Sequence, residues 1–284
     1  QHERSLSMHA AFTASAPQDA VPVYLFTEES WEAGAADLSA GHKAFAEAQG
    51  FKAGAGQTVL LAGKDGALGG VLFGLGNGQD ALGVAALSSG LPAGAYRVAD
   101  RPKAMSFASI AAGWADGAYR FDAYLNEKAL PPTLALDAAD DPDALSREAD
   151  AIRILRDMVN TPAGDMTPAA IHGEVSAMAE AFGATLEAAI GDELLKQNYH
   201  MVPAVGRAAT EAPRMLELTW GDAKHPELAI VGKGVAFDSG GLNIKTGDFM
   251  RIMKKDMGGA AHAIALARLV MGANLPVHLK LYVP

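Results

Sequence analysis

From residue 185 onward the chain alternates short apolar runs with helical stretches, and this alternation restricts the possible folds more than any other feature. The apolar runs fall at residues 185–190, 215–220, 228–231 and 277–283, and helical patterning at 192–198 and 257–271. Strands interleaved with helices in this way predict a mixed, mostly parallel sheet covered by helices. Such sheets bind ligands at the carboxyl ends of their strands. The stretch that follows residue 231 is therefore the first place to look for chemistry.

The preceding part reads differently. Residues 18–130 are rich in Gly and Ala, with short apolar runs at 21–26, 58–62 and 71–75 that read as strands. Lys64-Asp65-Gly66 is turn chemistry between two of them and predicts a hairpin. Helical patterning covers 104–118, and Pro131-Pro132 is expected to halt regular structure before the acidic stretch 137–143. At 284 residues the chain is long enough for two domains. The expected division is a smaller N-terminal α/β domain, residues 1–140, and a second domain over 141–284. The second opens on a linker helix: Asp141 as N-cap, Pro142 at the first helical position, and Leu145, Ala149, Ile152, Leu155 and Val159 on one face. Asn160-Thr161-Pro162 ends it. Thr167-Pro168 then opens another helix, with Ile171, Val175, Met178 and Phe182 at helical spacing until Gly183.

Composition removes several function classes. No run approaches the roughly 18 apolar residues of a membrane helix, so no membrane partner is expected. The net charge is -10 and no Lys/Arg cluster stands out, which disfavours a nucleic-acid partner held by phosphate contacts. Ala14-Ser15-Ala16 resembles a signal-peptidase site, but no apolar segment of about 7 to 15 residues precedes it, and a cytoplasmic location is expected. The chain has no cysteine, so a metal here must sit on oxygen and nitrogen ligands.

The stretch after residue 231 reads VGKGVAFDSGGLNIKTGDFMRIMKKDMGGAA. It sets Lys233, Asp238, Lys245 and Asp256 among glycines and small residues that let the backbone turn sharply. Two ionised carboxylates brought together at a strand end need a raised pKa, a basic partner or a metal. A divalent ion resolves their repulsion. Its ligands would be oxygens plus a lysine amine, which must be neutral to donate its lone pair. Taken singly, each residue has an ordinary reading: Asp-Ser-Gly-Gly is turn chemistry, Asp256 could cap the following helix, and the lysines could be solvated.

Taken together, the four positions resemble the signature of the leucyl aminopeptidase family, the M17 metallopeptidases. The resemblance rests on Val-Gly-Lys-Gly at Lys233, Phe-Asp-Ser-Gly-Gly at Asp238, the lysine at 245, and Lys-x-Asp-Met-Gly-Gly-Ala-Ala at Asp256. It continues upstream through the run 160–168, Asn-Thr-Pro-Ala-Gly-Asp-Met-Thr-Pro, and through Ala204-Val205-Gly206 and Pro213-Arg214. It covers residues 140–284, which by the resemblance are the linker helix and the first half of the family's catalytic domain, and more loosely the first 130 through features such as 113–124. The resemblance implies a metal-dependent aminopeptidase that removes N-terminal residues of leucine type from peptides. Two divalent metal ions, Zn or Mn first and Mg or Co next, would be the cofactors. Asp238 would bridge the pair, Lys233 and Asp256 would bind one ion, and Asp256 and Lys245 would also face the substrate. Lys245 would be the catalytic residue, stabilising the oxyanion of the tetrahedral intermediate. Met250 and Met253 would lie near the pocket for the first side chain, although methionines at helical spacing are also ordinary core filler. His262 is assigned no role as a ligand. A homohexamer is expected.

The family completes its site with a second motif, Asn-Thr-Asp-Ala-Glu-Gly-Arg, whose Arg holds a bicarbonate; that motif is not among these residues. Residues 1–284 alone are accordingly expected to be inactive and poorly soluble. The alternative function is a non-catalytic relative acting as a binding or regulatory protein, against which the intact set of four argues. Phosphate binding by Gly232-Lys233-Gly234 lacks the spacing of a P-loop.

Overall fold

A computed structural model describes residues 8–33, 38–63, 66–80, 82–137 and 139–284. The chain divides into two compact units, the first ending at Ala149 and the second running from Asp150 to Pro284.

The first unit holds β1 (Phe12–Thr13), β2 (Val21–Phe26), α1 (Glu28–Ala33), α2 (Ala40–Ala48), β3 (Thr58–Ala62), β4 (Leu68–Gly74), α3 (Val84–Gly90), β5 (Gly94–Asp100), α4 (Phe107–Ala118) and β6 (Pro132–Ala135). Its six strands form one sheet in the order β1-β6-β5-β2-β4-β3, parallel except where β3 meets β4. The period of two sends alternate side chains to opposite faces. Val23, Leu25, Val71 and Phe73 join Trp114 and Ile110 in one core, while Phe26, Leu61 and Leu72 join Trp31 and Phe51 in the other. The antiparallel pair β3–β4 is the expected hairpin, although Lys64 and Asp65 of its turn lie outside the described residues. Two expectations shift. The helix begins at Phe107 rather than 104 because the Ser106 side chain accepts from the Ser109 amide as N-cap. Pro132 begins a strand instead of halting structure, since the first residue of a strand need not donate an amide.

The helix α5 (Pro142–Asn160) spans the division, with Asp141 Oδ1 accepting from the Ala144 amide at its start. After it come α6 (Pro168–Phe182), β7 (Thr185–Ile190), α7 (Glu193–Lys196), α8 (Met201–Gly206), β8 (Arg214–Trp220), β9 (Glu227–Val231), α9 (Gly247–Met250), a 3-10 turn (Met253–Met257), α10 (Gly258–Gly272) and β10 (His278–Val283). Both ends of α6 are built as the sequence indicates: Thr167 accepts from the Ala170 amide, and Gly183 closes the helix in the left-handed conformation at φ 66°.

The second sheet is mixed, in the order β7-β8-β10-β9. Only β9 and β10 pair in parallel here; β8 runs antiparallel to both its neighbours. Parallel pairing is therefore concentrated in the first sheet. Leu216, Leu218, Leu279, Leu281 and Val283 point to one face and pack with α6 and α10, whose Val175, Met178, Ala260, Ile264 and Ala267 are buried there. Met215 and Ala189 point to the other face, under Leu194. This packing fixes where β9 ends relative to the start of α10, and the site lies between them.

Candidate active site

The chain leaves β9 at Val231 and stays alongside β10 for three more residues: the Gly232 amide donates to Tyr282 O and the Gly234 amide to Pro284 O. Lys233 is thereby held at the carboxyl end of a parallel pair. Its own carbonyl accepts from the Ala260 amide at 2.8 Å, satisfying one of the amides that the first turn of α10 leaves free. The approach is close enough to require glycine. A Cβ on Gly232 would stand 2.7 Å from Ala260 Cα and 2.7 Å from Gly259 O.

Two ion pairs occupy this end of the sheet. Lys233 Nζ lies 2.7 Å from Asp256 Oδ1, and Lys245 Nζ lies 2.6 Å from Asp238 Oδ2. Asp238 sits in a tight turn, its Oδ1 accepting from the Gly240 amide at 2.8 Å, with Gly240 and Gly241 both at positive φ. The Lys245 ammonium, together with the Gly240 amide, holds the Asp238 carboxyl below the usual carboxylate range, and the Lys233 charge adds to the effect. Lys233 therefore acts on both carboxylates, and the two pairs share one locality.

Asp256 differs from Asp238 in burial. It projects from the 3-10 turn with its side chain only 15% exposed. Its Oδ1 meets Lys233, but its buried Oδ2 finds no hydrogen-bond partner among the described residues. An ionised oxygen in that position is costly unless a cation or proton satisfies it. Among the described residues no group of three or more His, Cys, Asp or Glu side chains is gathered that could hold a metal ion. The donors present are two carboxylates and lysine amines, oxygen and nitrogen groups suited to a hard or borderline divalent ion, with one carboxylate oxygen open. To that extent the residues fit such an ion.

The remaining sequence candidates separate. Met253 is buried, and its Sδ lies 3.3 Å from Lys245 Nζ, so it belongs to the same locality. Met250 is half-buried, at the end of α9. His262 is exposed, and its Nδ1 lies 2.7 Å from Gly258 O within its own helix. Lys254, the first residue of the Lys-x-Asp-Met-Gly-Gly-Ala-Ala match, has no role assigned from the sequence; it reaches the end of α5 with its ammonium 2.7 Å from Asn160 O.

Comparison with known proteins settles the lineage. The pattern of the cytosol aminopeptidase family, catalytic domain, matches residues 153–284, and that of the M17 aminopeptidase N-terminal domain matches 21–136. The chain belongs to the M17 aminopeptidase family. A probable cytosol aminopeptidase of Rhodococcus jostii is 31% identical over 208 residues, 67% of this chain and 41% of the relative. The crystal structure of a cytosol aminopeptidase from Coxiella burnetii superposes with a TM-score of 0.87 at 32% identity, covering 96% of this chain and 60% of that one. The bottromycin maturation enzyme BotP in complex with Mn gives a TM-score of 0.77 at 29% identity over 93% of this chain and 58% of that one. The chain thus spans about two fifths to three fifths of the length of these proteins, and it shares their α/β architecture. Among the described residues no helix is long and apolar enough to cross a membrane.

Proposed function

We propose that these residues supply part of the centre of a two-metal aminopeptidase, acting on peptides with a free N-terminus and preferring leucine-type residues. The observation that carries the reading is the buried Oδ2 of Asp256, without a hydrogen-bond partner among the described residues, beside Lys233 and within the locality of Asp238. Lys233 and Asp256 would hold one divalent ion, and Asp238 would be shared between two. The ions would be Zn or Mn first, with Mg or Co next, as the family resemblance implies; the oxygen and amine donors accept any of the four. A pair of such ions, when bound, supplies a water of lowered pKa, a polarised peptide carbonyl and an anchor for the α-amine. The Mn complex of BotP supports the metal assignment by kinship.

The protein's own groups do the rest. Lys245 stands within reach of Asp238 and Met253, where its ammonium can meet a carbonyl oxygen as negative charge develops on it. Met253 lines the same place with an apolar, deformable surface suited to an aliphatic first side chain. Asp256 would face the substrate's amino end. The further donors that the family uses, and the Arg that would carry bicarbonate, are not among these residues. Residues 1–284 hold only part of the proposed donor set, so turnover by them alone is not expected. A homohexamer and a cytoplasmic location belong to the same proposal, supported by kinship with proteins named cytosol aminopeptidases.

The test is hydrolysis of a leucine amide by the full-length protein. Activity should vanish on chelation and in Asp256→Ala, and return with Mn or Zn in the wild type only. Undiminished hydrolysis by the chelated protein would overturn the reading.

A further inference from the structure

Asp256 is carried by five residues of 3-10 helix, Met253–Met257. Turns of this type are short and have poorer hydrogen-bond geometry than an α-helix, so something outside the turn must fix it. Met257 does so on one side, fully buried with Met158 and Met166 in the core of the second unit. On another side stands Lys254, which the roles above do not use. Its half-buried ammonium donates to Asn160 O at 2.7 Å across 94 residues of sequence. Asn160 is the last residue of α5, where a helix leaves carbonyls without intrahelical partners and concentrates partial negative charge. Among the described residues the partner of this lysine is a main-chain carbonyl and not a carboxylate.

The acceptor side is itself held. The Thr161 amide and hydroxyl both donate to Asp157 O, and the Met166 amide donates to Pro162 O, closing the run 160–168 into a compact joint between α5 and α6. Met166 anchors that joint in the core. We infer that Lys254 is a positioning residue: it clamps the Asp256-bearing turn to the C-terminal end of α5, and the joint exists to present the carbonyl that it grips. The meaning of the clamp for metal binding rests on the function proposed above, whereas the clamp itself rests on the hydrogen bond and the packing.

The experiment uses full-length protein carrying K254M, which keeps the stem and loses every donor, and K254R, which keeps a cation able to donate. Amide hydrogen exchange over residues 252–259, without metal, reads the clamp directly. K254M should exchange at least tenfold faster there, with the amides of β8 and β10 unchanged, and K254R should recover most of the protection. Calorimetric titration with Mn reads the consequence: about a tenfold loss of affinity in K254M, as for other groups that orient metal ligands, and near wild-type affinity in K254R. Wild-type exchange in K254M overturns the clamp. If K254M does not fold, K254Q replaces it and must show the same local acceleration; unchanged protection there is equally fatal. Altered exchange, with Mn affinity unmoved in both K254M and Asp256→Asn, leaves the clamp standing and removes the metal assignment.

Discussion

Substituting Gly232 by alanine tests whether the site depends on the seam between β9 and α10. The added Cβ would lie 2.6 Å from Ala263 Cβ, 2.7 Å from Ala260 Cα and 2.7 Å from Gly259 O. Each distance falls roughly 0.7 Å short of ordinary contact, and two of the three atoms are main chain that cannot rotate aside. Overpacking of a built core costs about 1–3 kcal/mol, and the main-chain contacts put this case at the upper end. Parting the seam also stretches the 2.8 Å bond from the Ala260 amide to Lys233 O, adding about 1 kcal/mol. The sum of about 3–4 kcal/mol lowers the melting midpoint by roughly 6–16 °C, read by circular dichroism. Gly258→Ala is the internal control. Its Cβ meets nothing within 4 Å and its φ of -58° is helical, so alanine should be neutral or stabilising by up to about 1 kcal/mol. Equal melting of Gly232→Ala and wild type, or an equal fall in both variants, would refute the seam argument. A Gly232→Ala protein that still folds should lose activity, because the same displacement separates Lys233 from Asp256.

Other predictions follow from single contacts. Trp114 is fully buried with its Nε1 donating to Pro132 O at 3.1 Å; Trp114→Phe removes that buried bond and should cost about 1–3 kcal/mol in urea unfolding. Thr167→Ala removes the cap of α6 and should cost about 1 kcal/mol by the same measurement. The Tyr199 hydroxyl donates to the Glu217 carboxylate, which, with burial, pushes its pKa from 10.0 to about 12. Because the folded pKa is raised, this bond stabilises the protein fully below pH 10.0 and is lost as pH rises through about 12. Tyrosinate absorbance should show Tyr199 among the late-titrating tyrosines, together with Tyr96, which burial pushes up, and Glu217→Gln should bring Tyr199 alone back toward the ordinary value.

Local chemistry made much of the second unit readable from the sequence. Thr167-Pro168 and Gly183 delimit α6 because a capping hydroxyl and a left-handed glycine act within one helical turn. The apolar spacing of Ile171, Val175 and Met178 marked the face that is buried. The first unit was less legible. Its Gly- and Ala-rich stretches carry weak periodicity, which leaves α1, α2, α3, β1, β5 and β6 without a sequence signal, and Pro132 starts a strand where a break is expected. The order β1-β6-β5-β2-β4-β3 is a product of long-range pairing that no local pattern encodes.

The same division runs through the site. Residue type and spacing singled out Lys233, Asp238, Lys245 and Asp256, because charged groups among glycines at a strand end need partners. Which carboxylate each lysine meets was decided by the fold: Lys245 reaches back over its own loop to Asp238, while Lys233 meets Asp256 only because β9 and α10 are packed at glycine-to-main-chain distance. The buried Oδ2 of Asp256, unpartnered among the described residues, and the grip of Lys254 on Asn160 likewise appear only once the chain has closed, since burial and a contact across 94 residues are properties of packing and not of sequence neighbours.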